Sequence, residues 1–252
     1  MPYGSPKVMS RQDTLVYLYN KYVNGERLIA NRFNDGEYLL MQGVESGNIK
    51  RQIGVGSSLI LKDLLRNALK NNKQLICTGY LGTETSMSEN YMWYQTQKFV
   101  IDNSGHELYG CSNWASHDFR AGNILLPKLF SGKTLIISGI AEHIKPVLLP
   151  YNKNIVCYQT PNINAEKHYE FIREDLKKIC NNFQNIIFAC GPTCKAILVD
   201  LIDECNAHLI DAGSMINAIC HKEDLWTMSW ASQIPLQEYI DRFLEKVKHE
   251  LD

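Results

Sequence analysis

Apolar positions along this chain follow two spacings that alternate from one end to the other. Gln12 to Tyr22 places Leu15, Leu18, Tyr19 and Tyr22 on one stripe, which predicts a helix. Arg27 to Phe33 is a compact run that predicts a strand, and Gly36 to Val44 predicts a short helix after it. Ser57 and Ser58 are suited to cap a helix through Leu69. A strand over Gln74 to Gly79 follows, then a helix over Ser88 to Ile101, a polar turn at Asp102 to Gly105 and a short strand near Leu108. Phe119 to Phe130 predicts one helix up to Pro127.

The second half repeats the alternation. Strands are predicted over Thr134 to Ser138, Asn154 to Tyr158, Asn185 to Cys190 and His208 to Asp211. Helices are predicted over Ala165 to Cys180, Cys194 to Cys205 and Pro235 to Leu251. Several strands are continuous apolar runs, as expected where both faces of a sheet are covered. The expectation is a single α/β domain over residues 1–252, Rossmann-like, with a largely parallel sheet and helices on both faces. In such a sheet ligands bind beyond the carboxyl ends of the strands, at a switch in strand order. Asp35, Gly79, Gly139, Gly191 and Asp211 all stand at predicted strand ends.

Composition narrows the partners. With 26 Lys and Arg against 27 Asp and Glu the net charge is -1, so no general basic field exists to attract nucleic acid. An anionic ligand has to be held by a local site. No run approaches the ~20 apolar residues of a membrane span, and Met1 to Asp13 lacks the apolar core of a signal peptide. Cys77, Cys157 and Cys190 lie inside apolar runs, where cysteine acts as a small hydrophobe. These features lead to the expectation of a reduced, cytoplasmic protein.

Arg32-Phe33-Asn34-Asp35-Gly36-Glu37 carries the sharpest chemistry. Asp35 and Glu37 put two hard oxygen ligands where a buried strand opens into a loop, which suits a divalent cation and the phosphate it carries. Arg32 adds a phosphate contact, and Gly36 allows close approach of the backbone. A plain helix start, with Asn34 or Asp35 as cap and Glu37 at the positive end of the helix dipole, accounts for the same residues.

Cys190-Gly191-Pro192-Thr193-Cys194-Lys195 reads as strand, turn and helix, with backbone N–H groups, a hydroxyl and a mobile cation suited to an anion. An ordinary strand-to-helix connection accounts for it equally. Leu209-Ile210-Asp211-Ala212-Gly213-Ser214 offers a carboxylate at a strand end, as a hydroxyl acceptor, a base or a turn residue. His117-Asp118 reads as a surface loop, and Glu142-His143 as a base or a helix start.

Taken together these segments resemble the GT-D-type glycosyltransferases. That family carries an Arg-Phe-Gly-Asp-Gly-Glu-like segment with an Asp-x-Glu metal motif, then Gly-Pro-Thr-Ala-Lys, Asp-Leu and Asp-x-Gly-His. The matches here are Arg32, Phe33, Asp35, Gly36 and Glu37, then Gly191, Pro192, Thr193, Lys195, Asp200, Leu201, Asp211 and Gly213. Asn34 stands in place of glycine and Ser214 in place of histidine. The resemblance implies a metal-dependent transferase that moves a sugar from a nucleotide-diphosphate sugar, a UDP-sugar first, to a hydroxyl of a glycan or glycoconjugate acceptor. It implies that Asp35 and Glu37 hold Mn²⁺ or Mg²⁺. Arg32, Gly36, Gly191, Pro192, Thr193, Lys195, Gly213 and Ser214 would bind the nucleotide sugar. If the reaction inverts, the acceptor hydroxyl needs a general base, for which Asp211, or else Asp118, is the candidate. The alternative is a non-catalytic module that binds a sugar nucleotide or glycan.

Overall fold

The computed structural model describes residues 7–44, 58–79, 87–213, 215–219 and 236–251. Among the described residues eight strands form one sheet: β1 (Lys7–Val8), β2 (Ile29–Phe33), β3 (Leu75–Thr78), β4 (Leu108–Cys111), β5 (Thr134–Ser138), β6 (Ile155–Gln159), β7 (Asn185–Ala189) and β8 (His208–Asp211). Their order is β1-β4-β3-β2-β8-β7-β5-β6, and every pair runs parallel. The expected α/β architecture is the one observed.

Strand alternation divides the core between the two faces. Ala30, Ile136, Ile187 and Ile210 join one cluster with Leu15, Leu18, Trp114, Phe130 and Phe243. Leu135, Ile137, Ile186, Phe188 and Leu209 join another with Leu176, Ile197 and Leu198. Phe33, Ile76 and Tyr109 pack with Leu40, Leu61 and Val100 in a third. All five residues of β5 are buried, which explains its apolar centre, Leu135-Ile136-Ile137. No helix among the described residues is long and apolar enough to cross a membrane.

The register brings the strand ends to one edge. Ser138 stands beside Ala189 and Gln159, and Phe188 beside Asp211. After β5 the chain runs outward to β6; after β7 it runs inward to β8. The connections diverge between β5 and β7, the crevice where a doubly wound sheet takes its ligands.

Three helical expectations and one loop expectation need correction. The single helix over Phe119 to Phe130 is two, Trp114–Ala121 and Leu126–Ser131. His117-Asp118 lies in the first of these and not in a surface loop; Asp118 is fully buried. The helix from Cys194 to Cys205 is shorter, Thr193–Asp200. Ala165 to Cys180 begins as a 3₁₀ turn, Ala165–His168, before the helix Tyr169–Ile179. A helix over Ala141–Leu148, with Pro146 inside it, adds to the elements expected; only its start at Glu142 is signalled in the sequence.

Candidate functional site

β2 ends at Phe33, and the helix Asp35–Met41 begins two residues later. The Asn34 backbone N–H donates to Glu37 Oε2 at 2.9 Å, so the helix start expected on sequence grounds is present. It does not exhaust the acidic pair. Glu37 is buried, and its other oxygen, Oε1, lies 3.5 Å from Lys195 Nζ. Asp35 is exposed, and among the described residues nothing is bonded to its carboxylate.

Lys195 is the electrostatic centre of the site. It enters from the first turn of helix Thr193–Asp200, and its backbone carbonyl accepts a 3.0 Å hydrogen bond from Asn31 Nδ2 inside β2. Its ammonium lies 2.6 Å from Asp211 Oδ2 at the end of β8 and 3.4 Å from Cys194 Sγ. The side chain is 6% exposed and that of Asp211 is 0% exposed, so this pair is dehydrated. Burial alone would lower the lysine pKa; the Asp211 carboxylate, followed by Cys194 and Glu37, outweighs it and holds the ammonium well above its ordinary value.

Asp211 is fully engaged. Besides Lys195, its Oδ2 accepts the Arg32 backbone N–H at 3.3 Å, and its Oδ1 accepts the Gly213 N–H at 2.9 Å. Gly213 sits at φ +54°, and a Cβ there would fall 1.5 Å from Arg32 Nη1. The glycine therefore makes room for the Arg32 guanidinium. Arg32 Nε is buried and finds no hydrogen-bond partner, and no carboxylate among the described residues pairs with this side chain. Arg32 also lines the cleft, so its positive charge stands beside the space an anionic ligand would fill.

The turn Gly191–Thr193 closes the floor, with Gly191 at φ +70°. The Cys194 N–H donates to Gly191 O at 3.3 Å and the Lys195 N–H to Pro192 O at 3.2 Å. Two of the donors expected to face an anion are thus spent within the turn. Cys190 lines the cleft beside it; its thiol contacts Cys194, and that contact, with burial second, pushes its pKa up. A thiol so placed is a packing group and not a nucleophile.

These elements enclose a cleft of about 350 Å³ over the carboxyl ends of β2, β5, β7 and β8. It brings together Arg32, Asp35, Gly36, Glu37, Gly191, Pro192, Thr193, Lys195, Asp211 and Gly213. Ser214 lies outside the described residues. The opposite wall was missed by sequence reasoning: Ile140, Pro161, Asn162 and Ala165. Gly139 was a visible signal for it, since a Cβ there would meet Asn162 Oδ1 at 2.4 Å. Asn31 was missed too, although a polar residue within an apolar strand run is a legible sign.

Asp118 does not belong to the cleft. Its carboxylate accepts the backbone N–H groups of Ile124, Leu125 (3.0 Å) and Leu126 (2.7 Å), and so caps the helix Leu126–Ser131. Burial pushes its pKa up, and the three N–H donors partly offset this. Asp200, matched in the resemblance, binds the Tyr169 hydroxyl and ties two helices together.

No family model matches the chain, and no curated protein matches it. Two solved structures share its fold. One is described as "The highly conserved domain of unknown function 1792 has a distinct glycosyltransferase fold"; it is 21% identical, with a TM-score of 0.61 over 82% of this chain and 78% of that one. The other is a selenomethionine-substituted structure of the same domain of unknown function, 22% identical, with a TM-score of 0.62 over 83% and 79%. The chain therefore has the fold of a domain described as a distinct glycosyltransferase fold.

Proposed function

We propose that the chain is a glycosyltransferase that takes its sugar from a nucleotide-diphosphate donor, a UDP-sugar first, and places it on a hydroxyl of a glycan or glycoconjugate. The observation that carries this reading is the convergence at the switch point. Three carboxylates, Asp35, Glu37 and Asp211, share one cleft with the Arg32 side chain, the buried Lys195 ammonium and a glycine turn. The likeness of the fold to one described as a glycosyltransferase fold supports it.

The donor set suits Mn²⁺ or Mg²⁺. Asp35 and Glu37 Oε1 both present oxygen to the cleft, while no group of three or more His, Cys, Asp or Glu side chains forms a cage among the described residues. Two carboxylates without a cage fit an ion that completes its shell with phosphate oxygens and water. When bound, that ion would supply positive charge to the departing diphosphate. The chain's own residues do the rest. Arg32 and Lys195 add positive charge beside the phosphates, and Asp211 keeps the Lys195 ammonium within reach. Gly191 lets the diphosphate approach the backbone, and Gly213 seats the Arg32 guanidinium. The neutral wall at Ile140, Pro161 and Asn162 leaves room for the nucleoside. Asp211, with three donors on two oxygens, is assigned to positioning Lys195. Neither it nor Asp118 is assigned the base.

The test is release of nucleoside diphosphate from a panel of nucleotide sugars with Mn²⁺. Wild type should hydrolyse one donor slowly and transfer faster once an acceptor is present. Asp35→Ala and Glu37→Ala should lose both activities while remaining folded. Equal turnover by these variants would refute the assignment. Tight binding without any release would favour the binding-module alternative.

A further inference from the structure

Glu37 faces a resident cation before any metal arrives. Lys195 Nζ sits 2.6 Å from Asp211 and 3.5 Å from Glu37. The first contact is a close, fully dehydrated pair; the second is an ion pair longer than hydrogen-bond length. An ammonium has three donors and a flexible stem. It can leave Glu37 while remaining on Asp211. A divalent cation at Glu37 would meet that ammonium at short range, and like charges at such range are unfavourable in a poorly hydrated site. A diphosphate in the same cleft supplies the negative charge that satisfies both cations.

We propose that Lys195 is a built-in counter-ion for Glu37 that couples the divalent cation to the diphosphate: the free cleft binds the ion weakly, and the diphosphate raises ion affinity by drawing the ammonium away from Glu37. The proposal rests on the reading of the cleft given above. Asp211 acts as the positioning residue that keeps Lys195 within reach of both partners. Coupling of this kind is reciprocal, so the ion must strengthen diphosphate binding by the same factor.

The experiment is calorimetric titration of the full chain with Mn²⁺ alone, with UDP alone, and with Mn²⁺ in the presence of UDP. It compares wild type with Lys195→Met, and with Lys195→Met/Asp211→Asn. The double variant removes one positive and one negative charge, leaves no carboxylate at position 211 without its ammonium, and keeps the net charge of the cleft. In both variants Mn²⁺ alone should bind about tenfold more tightly than in wild type, in the range typical of coupling between sites. The gain in Mn²⁺ affinity caused by UDP should shrink by the same factor. Direct chelation of Mn²⁺ by UDP is common to all samples and cancels in the comparison. Glu37→Gln, introduced into wild type and into the Lys195→Met variant, should leave the two with equal Mn²⁺ affinity. Unchanged or weaker Mn²⁺ binding in the folded double variant, with the UDP effect intact, would overturn the proposal and leave the wider reading standing. Failure of wild type to bind UDP with or without Mn²⁺ would overturn both.

Discussion

Asp211 accepts three donors on two oxygens, and one of those donors is a buried ammonium. Its removal leaves Lys195 charged and without its closest partner. Asp211→Ala should therefore cost about 3–5 kcal/mol in denaturant unfolding, the penalty for breaking a buried ion pair. A variant as stable as wild type would contradict the anchoring role. Asp118 gives the opposite test. Asp118→Ala orphans the buried N–H groups of Leu125 and Leu126 and the part-buried one of Ile124, and should cost about 1–3 kcal/mol, while UDP binding in the folded variant stays unchanged. Gly213→Ala places a methyl group on Arg32 Nη1 at a left-handed backbone position. It should weaken UDP binding by displacing the guanidinium, and titration of the folded variant checks this. None of these roles was legible in the motifs. Asp211 and Lys195 are far apart in sequence, and only the parallel register of β7 and β8 places them together. The acidic pair was legible because both carboxylates and their glycine are contiguous in the chain.

At the level of elements, long apolar runs were legible and short or interrupted ones were not. β5 and β7 are five-residue strands buried almost throughout, and their sequences admit little else. β1 has two residues and carries no periodic signal. The helix Ala141–Leu148 is disguised by Pro146, a residue that argues against helix interiors. The break between Trp114–Ala121 and Leu126–Ser131 depends on the Asp118 cap, a contact with no local pattern. Pairing of β2 with β8 has its own pH signature. The Leu28 N–H donates to His208 Nδ1 at 2.9 Å, which requires an unprotonated nitrogen. Burial, then Arg27, lowers the His208 pKa below its ordinary 6.5. The unfolded chain thus takes up this proton first as pH falls. Stability is full above pH 6.5 and is lost as pH falls from there through the folded value. His208→Asn, whose amide oxygen can accept the same N–H, should flatten that part of the curve in urea unfolding between about pH 5 and 7.5. Identical curves for variant and wild type would contradict this account.

Among the described residues the sheet is all parallel, and one edge of it collects strand ends from both halves of the chain. Parallel pairing explains why residues as distant as Arg32, Ser138, Gly191 and Asp211 share one cleft. The sequence showed that each stood at a strand end, but only strand order decides which ends are neighbours. The amino edge carries a separate cavity of about 300 Å³, lined by Tyr17, Arg27, Lys73 and His106. Hydrogen exchange distinguishes the edges. UDP with Mn²⁺ should slow exchange in residues 32–37, 139–140 and 190–195 and leave residues 72–75 and 106–108 unchanged. Protection confined to the amino edge would place the ligand elsewhere. The most direct test of the central claim is the thermal shift of wild type, Asp35→Ala and Glu37→Ala with UDP, with Mn²⁺ and with both. The account predicts a rise in melting temperature for wild type only when both ligands are present, and none for either variant. An equal rise in all three proteins, or one that survives chelation of the metal, would contradict it.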